Sequence, residues 1–358
     1  MRFLLDDEQR EFGRTLDDLL TTAGTPAIAR AWAAGDTAPG RALWARLAET
    51  GVFALAVPER HDGLGPLPLE LTVAFTELGR HAVPGPVVET VAVAALLDHL
   101  DDGDVTGTWL PQIAAGKAVV SLCTQSKSDA AEGTGELRGQ PPTTRRRPRT
   151  PRTPEPAGPY ALDADAADAV FVVDGDILRL ADGHGPVQPS LDPARRLARP
   201  HGGTVLAQGP HVLAAAARAA DVAALATAAQ SLGLGRALLA HTVDHVRRRT
   251  QFGVAIGSFQ AVKHRLADTL LALEFAQPLL HAAALALAAE DPAAGREIAA
   301  AKVTAGEAAY TAARAALQLH GAVGYTDELD LALWMRKARP LRDAWGTPAA
   351  CRARVLAA

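Results

Sequence analysis

Apolar residues at three- and four-residue spacing dominate both ends of the chain, and a stretch of different character separates them. In DDEQREFGRTLDDLL, Phe12, Leu16, Leu19 and Leu20 fall near one face at helical spacing. RALWARLAETGVFALAVP reads as a second helix, stopped by Gly51 in the manner of a glycine just past a helix end. ERHDGLGPLP is a loop by its glycine and proline content, and further helices are expected over roughly 67–80 and 87–100. Residues 119–208 lose the helical period. AVVSLCT and DAVFVVDGDILRLAD carry β-branched residues, the latter around DGD, a hairpin turn.

From about residue 210 the helical pattern returns. One Ala/Leu-rich helix is expected to run to the arginines at 247–249, with a kink near Gly233. Phe259, Val262, Leu266, Leu270 and Leu273 mark a second, with Ser258 as its N-cap. Asp291-Pro292 opens a third, closed by Gly321, and Thr326 followed by Asp327 and Glu328 opens a fourth. Four long helices with short connections read as an antiparallel bundle. The expected fold class is mainly α: an N-terminal helical domain (1–118), a small β domain (119–208) and a C-terminal four-helix bundle (209–358).

Composition narrows the function classes. Of 358 residues, 48% are hydrophobic and 21% charged, and the net charge is −4, so nothing pulls the whole chain toward nucleic acid or anionic lipid. No uninterrupted apolar run reaches membrane-spanning length, and no membrane association is expected. The two cysteines, Cys123 and Cys351, fit no metal spacing, and the 11 histidines show no ligand-like pairing, so no metal site is expected. So few cysteines fit a reduced, cytoplasmic protein.

Residues 125–158 contain RGQPPTTRRRPRTPRTPEPAG, almost without apolar side chains, and are expected to be a disordered insert. Its arginines also allow a nucleic-acid arm, although no aromatics interleave them. Out-of-frame translation of GC-rich DNA would yield the same Arg/Pro/Thr bias.

The chemistry concentrates in RRTQFGVAIGSFQAVKHRLAD. Arginines at a helix end, followed by a glycine turn, suit an anion. This block, with QLHGAVGYTDELDLALWMRKA, LAETGVFALAVPERHDGLG and the weaker WLPQIAAGKAVVSLC, resembles the acyl-CoA dehydrogenase family in order and spacing. The resemblance covers most of residues 1–122 and 210–358. It implies an FAD cofactor, an acyl-CoA substrate and an oligomer in which the arginine block of one subunit contacts the adenosine diphosphate end of FAD held mainly by its neighbour. By motif, Arg249, Gln251, Phe252, Gln260, Gln318 and Gly321 would make that contact, with His264 and His320 structural.

The chain departs from the family where the family keeps its catalytic base. The glutamate before Gly-Thr near the C-terminus is replaced by Trp345, and the alternative position on the first bundle helix falls on Ala223. Asp343 and Asp221 lie nearby, two residues away from each. The loop and the tryptophan strand that flank the flavin ring in the family are absent, since no tryptophan lies between Trp109 and Trp334. The resemblance therefore implies FAD-dependent α,β-dehydrogenation by a subunit that needs a homologous acyl-CoA dehydrogenase chain, homo- or hetero-oligomeric, with its own catalytic residue unknown. The other implied reading is a non-catalytic structural or regulatory homologue.

Overall fold

The computed structural model describes residues 4–125 and 159–357; most of the expected Arg/Pro-rich insert lies outside these described residues. Six helices come first: α1 (Asp7–Ala23), α2 (Thr25–Ala33), α3 (Ala38–Glu49), α4 (Pro68–Arg80), α5 (Val87–Leu100) and α6 (Gly103–Ala114). A capping box starts α1: Gln9 N donates to Asp6 Oδ1 at 2.8 Å, and Asp6 N donates to Gln9 Oε1 at 3.0 Å. Helix α6 escapes the pattern reading because glycines and an internal proline, Pro111, dilute its period; burial of Leu110 and Ile113 holds it in place.

The middle region is a four-stranded sheet plus short pairings. Its strands are β1 (Val120–Gln125), β2 (Ala161–Leu162), β3 (Ala169–Asp174), β4 (Ile177–Leu180), β5 (Gly183–His184), β6 (Leu197–Ala198), β7 (Pro200–His201) and β8 (Thr204–Gln208). The sheet order is β1-β3-β4-β8. β1 lies parallel to β3 with Cys123 opposite Val172, and the DGD turn joins antiparallel β3 and β4 with Asp174 opposite Ile177. Gly175 sits at φ 60° in that turn, a conformation glycine adopts without strain.

The C-terminal part contains α7 (Pro210–Arg248), α8 (Gln260–Ala288), α9 (Ala294–His320), α10 (Leu331–Asp343) and a further short helix, α11 (Pro348–Leu356). Helix α7 runs unbroken through Gly233, because that glycine serves a crossing and not a bend. A Cβ there would lie 1.8 Å from the Thr76 carbonyl oxygen of α4, and one on Gly79 would lie 2.0 Å from that of Gln230.

Three predicted helix starts shift. Helix α8 is capped at Phe259, while Ser258 Oγ donates to Ala255 O at 2.7 Å. Asp291 shapes the turn before α9 by accepting from Ala293 N at 2.8 Å, and the helix begins at Ala294. Thr326 Oγ1 donates back to Val323 O at 2.9 Å, leaving Asp330 to precede α10. In each case the polar side chain satisfies a tight turn next to the helix.

One hydrophobic core runs through all three regions. It joins Leu16, Phe53 and Phe75 of the N-terminal helices to Phe171 of the sheet and to Leu225, Leu280 and Ile298 of the bundle. Helices α7 and α8 are long and apolar enough on average to cross a membrane; both pack in the bundle. Helix α8 also leaves Leu270, Leu271 and Phe275 exposed.

Candidate functional site

The arginine block folds into a projecting hairpin at one tip of the bundle. Arg249 caps α7, its N–H donating to His245 O at 2.9 Å, and its own carbonyl accepts from Ile256 N at 2.8 Å. Between them β9 (Thr250–Gln251) pairs antiparallel with β10 (Val254–Ala255). The two turn residues, Phe252 and Gly253, have φ of 53° and 80°, the paired positive values that a tight two-residue hairpin requires. Glycine takes this freely, but a phenylalanine there is strained. The Phe252 ring is nonetheless 92% exposed and meets Phe259 only edge-on, at 6.3 Å between centroids.

The second block arrives at the same tip. His245 of α7 stacks on His320 of α9 with centroids 4.0 Å apart, bringing the two C-terminal helix ends side by side. Burial holds both imidazoles below the usual histidine range. His320 is buried and structural, its Nδ1 2.8 Å from Ala316 O, whereas His264 is exposed. Gln318 Oε1 accepts from Arg265 Nη1 at 2.6 Å, tying α9 to α8, and Gly321 ends α9 at φ 64°.

The fold thus gathers Arg249, Gln251, Phe252, Gln260, Gln318 and Gly321 at one end of the bundle, all exposed. No hydrogen bond joins Arg249 to Gln318 among the described residues. Arg247, Arg248 and Arg249 have no ion-pair partner among the described residues. Arg248 Nε donates to Asp244 O at 3.1 Å, and the remaining guanidinium donors of this cationic turn fit a pyrophosphate, the group FAD would present.

The second region is a neck where α5, the sheet and the α10–α11 turn meet. A cavity of about 750 Å3 opens there, lined by Cys123, Tyr160, Arg195 and Asp343 among others. Neither aspartate near the family's base positions is free. Asp221 accepts from both terminal guanidinium nitrogens of Arg354, tying α7 to α11, and Asp343 lies 3.2 Å from Arg342 Nε. Ala223 is fully buried in the core. Trp345 turns its indole inward, and Nε1 donates to Glu89 Oε1 at 3.1 Å.

Glu89 was not among the sequence candidates. It is only 4% exposed, and burial pushes its carboxyl above the usual range, opposed chiefly by the Arg195 charge. Asp163, fully buried beside it, is pushed up to about 7 by burial despite accepting from Trp32 Nε1 at 3.2 Å and Arg196 N at 3.1 Å. Burial pushes the Cys123 thiol up to about 12, away from the thiolate form that reacts. Elsewhere, Asp17, Glu77 and His81 bring ligand-type atoms within 4.8 Å of one another, but Arg80 lies 3.8 Å from Asp17 and 3.7 Å from Glu77 and supplies positive charge there.

Residues 6–117 match the acyl-CoA dehydrogenase N-terminal domain and residues 213–358 its C-terminal domain. The chain is 30% identical over 335 residues to acyl-CoA dehydrogenase IpdE2 of Mycobacterium tuberculosis, an alignment spanning 93% of this chain and 91% of that one. The chain belongs to the acyl-CoA dehydrogenase family. IpdE2 of Mycolicibacterium smegmatis is 28% identical over 347 residues, covering 95% of this chain and 96% of its own. The same fold appears in butyryl-CoA dehydrogenase from Megasphaera elsdenii, with a TM-score of 0.80 at 20% identity, covering 100% of this chain and 99% of that chain. It appears again in the ChsE4-ChsE5 complex from Mycobacterium tuberculosis, with a TM-score of 0.78 at 23% identity over 100% of this chain and 98% of that chain.

Proposed function

We propose that this acyl-CoA dehydrogenase homologue takes part in FAD-dependent α,β-dehydrogenation of an acyl-CoA thioester, as a subunit of an oligomer with a homologous acyl-CoA dehydrogenase chain. The observation that carries the reading is the pairing of an exposed, unspent Arg249 tip with a neck in which Asp221 and Asp343 are ion-paired. The reaction removes a proton from the acyl α-carbon and a hydride from the β-carbon, leaving a double bond. FAD, when bound, accepts the hydride. This chain would hold the pyrophosphate through Arg249, with Gln251, Phe252 and Gln260 beside it and Gln318 and Gly321 completing the contact. The proton needs a carboxylate within hydrogen-bond reach, and the partner chain would bring it. The exposed Leu270, Leu271 and Phe275 face of α8 supports association, as does the existence of a ChsE4-ChsE5 complex on the same fold.

The ion pairing of Asp221 and Asp343 also favours a second reading, a non-catalytic structural or regulatory homologue. Co-purification with a homologous partner separates the two by flavin absorbance. In the complex, Arg249→Ala removes a charge-assisted contact worth roughly 1.5–3 kcal/mol, so FAD retention should fall about tenfold or more. Unchanged flavin occupancy would defeat the FAD assignment, and turnover equal to that of the partner alone would favour the non-catalytic reading.

A further inference from the structure

A pair of stacked rings joins the two blocks at the tip. His245 lies one turn before Arg249, and its carbonyl accepts the Arg249 N–H at 2.9 Å. His320 directly precedes Gly321 and stands two residues after Gln318. The rings lie 4.0 Å apart at their centroids with 24° between planes, so one side-chain contact spans from the arginine block to the second block. Ala316 O lies 2.8 Å from His320 Nδ1 and fixes that nitrogen as the N–H, which leaves Nε2 to take a further proton.

The surroundings disfavour charge on this pair. Both rings sit in the last turn of a helix, where the dipole alone would favour a cation. Burial outweighs it. Burial first, then the His320 ring and the Arg249 and Arg248 guanidiniums, hold His245 below the usual histidine range, and burial holds His320 below it too. His241, one turn before His245, is lowered chiefly by burial, with Asp244 opposing and His320, Arg80 and His81 adding to it. His81 is itself 2.7 Å from Asp17 Oδ1, and Arg265 of α8 reaches the same end of α9 through Gln318. Both folded values lie below the ordinary one of about 6.5. The stack therefore contributes fully above about pH 6.5 and is lost as pH falls through the folded values. A second proton would set two cations face to face at 4.0 Å.

We propose that the His245–His320 stack is a clasp: it holds the arginine block and the Gln318–Gly321 block in register for the cofactor's pyrophosphate, and acid opens it. The two histidines are positioning residues that act through Arg249 and Gln318. The proposal rests on the reading that the tip holds FAD, and it gives that contact a pH dependence set by this chain.

The FAD dissociation constant of the complex with a homologous chain, measured by flavin fluorescence at about pH 7.5 and about pH 5.5, tests it. The wild-type complex should weaken at least about fivefold at the lower pH. His245→Phe combined with His320→Phe keeps two aromatic faces that cannot titrate, and should change by less than about twofold. In the lone chain without flavin, the Ile256 amide, which donates to Arg249 O at 2.8 Å, should lose hydrogen-exchange protection at the lower pH, corrected for intrinsic exchange. The double variant should keep that protection. If the double variant does not fold, His245→Phe alone decides and should at least halve the acid effect. Three results overturn the clasp: a wild-type constant that is flat with pH, one that tightens as added charge attracts the pyrophosphate, or a variant that follows the wild-type profile. Arg249→Ala separates this from the FAD reading. Weak binding by that variant at both pH values leaves the FAD reading standing while the clasp falls, and unchanged binding at both sinks the FAD reading itself.

Discussion

The tip of the bundle and the neck lie in one molecule with opposite accounts of their polar groups. At the tip, three consecutive arginines, a strained phenylalanine and three glutamines face outward, and the described residues give the guanidiniums no ion-pair partner. At the neck, almost every charge is spoken for: Asp221 on Arg354, Asp343 on Arg342, Lys337 on Asp192 at 3.0 Å, and Glu89 on the Trp345 indole. An exposed group without a partner costs a chain little and can be offered to another molecule. A buried group without one costs on the order of 1–3 kcal/mol, so the fold fills such positions itself. The contrast separates a tip whose cations remain available to another molecule from a neck whose aspartates are taken by neighbouring arginines.

The largest effect that could break this comparison is turnover. The purified chain alone should dehydrogenate acyl-CoA at least about 10²-fold more slowly than its complex with a homologous chain, the range expected for loss of a general base. Robust turnover by the lone chain with bound FAD would mean that the neck opens. Asp343, Asp221 and Glu89 would then be the first carboxylates to replace.

The tip was legible in the sequence and the neck was not, for a physical reason. Arg249 through Gln260 are neighbours along the chain, and turn chemistry is local, so the hairpin follows from its own residues. The stacking of His245 on His320 brings the second block to it through two helices whose ends the pattern already marked. The Trp345–Glu89 bond joins residues 256 positions apart. One local signal did point to it. Helix α5 is apolar all round, with Val87, Val88, Val91, Ala92, Val93 and Leu96 buried, so a glutamate within it had to be buried too. The separate domains expected at 1–118 and 209–358 likewise share one core, because the apolar face of α4 meets α7 through glycine contacts that periodicity does not show.

A smaller effect sharpens the neck. Asp163 goes from 3.8 to about 7 on folding, with Oδ2 lacking a hydrogen-bond partner among the described residues. Its folded pKa is raised, so between those values the folded state holds a proton that the unfolded state has released. Stability from this group is full below pH 3.8, falls as pH rises, and is lost above about pH 7. Asp163→Asn keeps the acceptor for Trp32 and Arg196, tolerates φ 51° and removes the ionisation. At 1.36 kcal/mol per pKa unit it should stabilise the protein by roughly 2–4 kcal/mol at pH 8, with little change near pH 4. Melting curves across pH 4–8 should show a flatter profile than wild type. Identical profiles would mean that the Asp163 carboxyl is better solvated than its burial implies.

The smallest expected effect tests the tip. Phe252→Ala removes a ring that is 92% exposed and touches its own fold only at the edge of Phe259. It should therefore change the unfolding free energy of the lone chain by no more than about 0.5 kcal/mol, as surface substitutions do. Phe252→Gly goes one step further. At φ 53° glycine relieves the strain of a left-handed phenylalanine, so this variant should be as stable as wild type or slightly more so. A chain that carries strain in an exposed ring gains nothing from it alone. The gain belongs to whatever the ring touches in the assembly, and both variants should weaken flavin retention in the complex while leaving the isolated chain intact. A destabilised lone chain with unchanged flavin retention would reverse the assignment and make Phe252 a packing residue of the bundle.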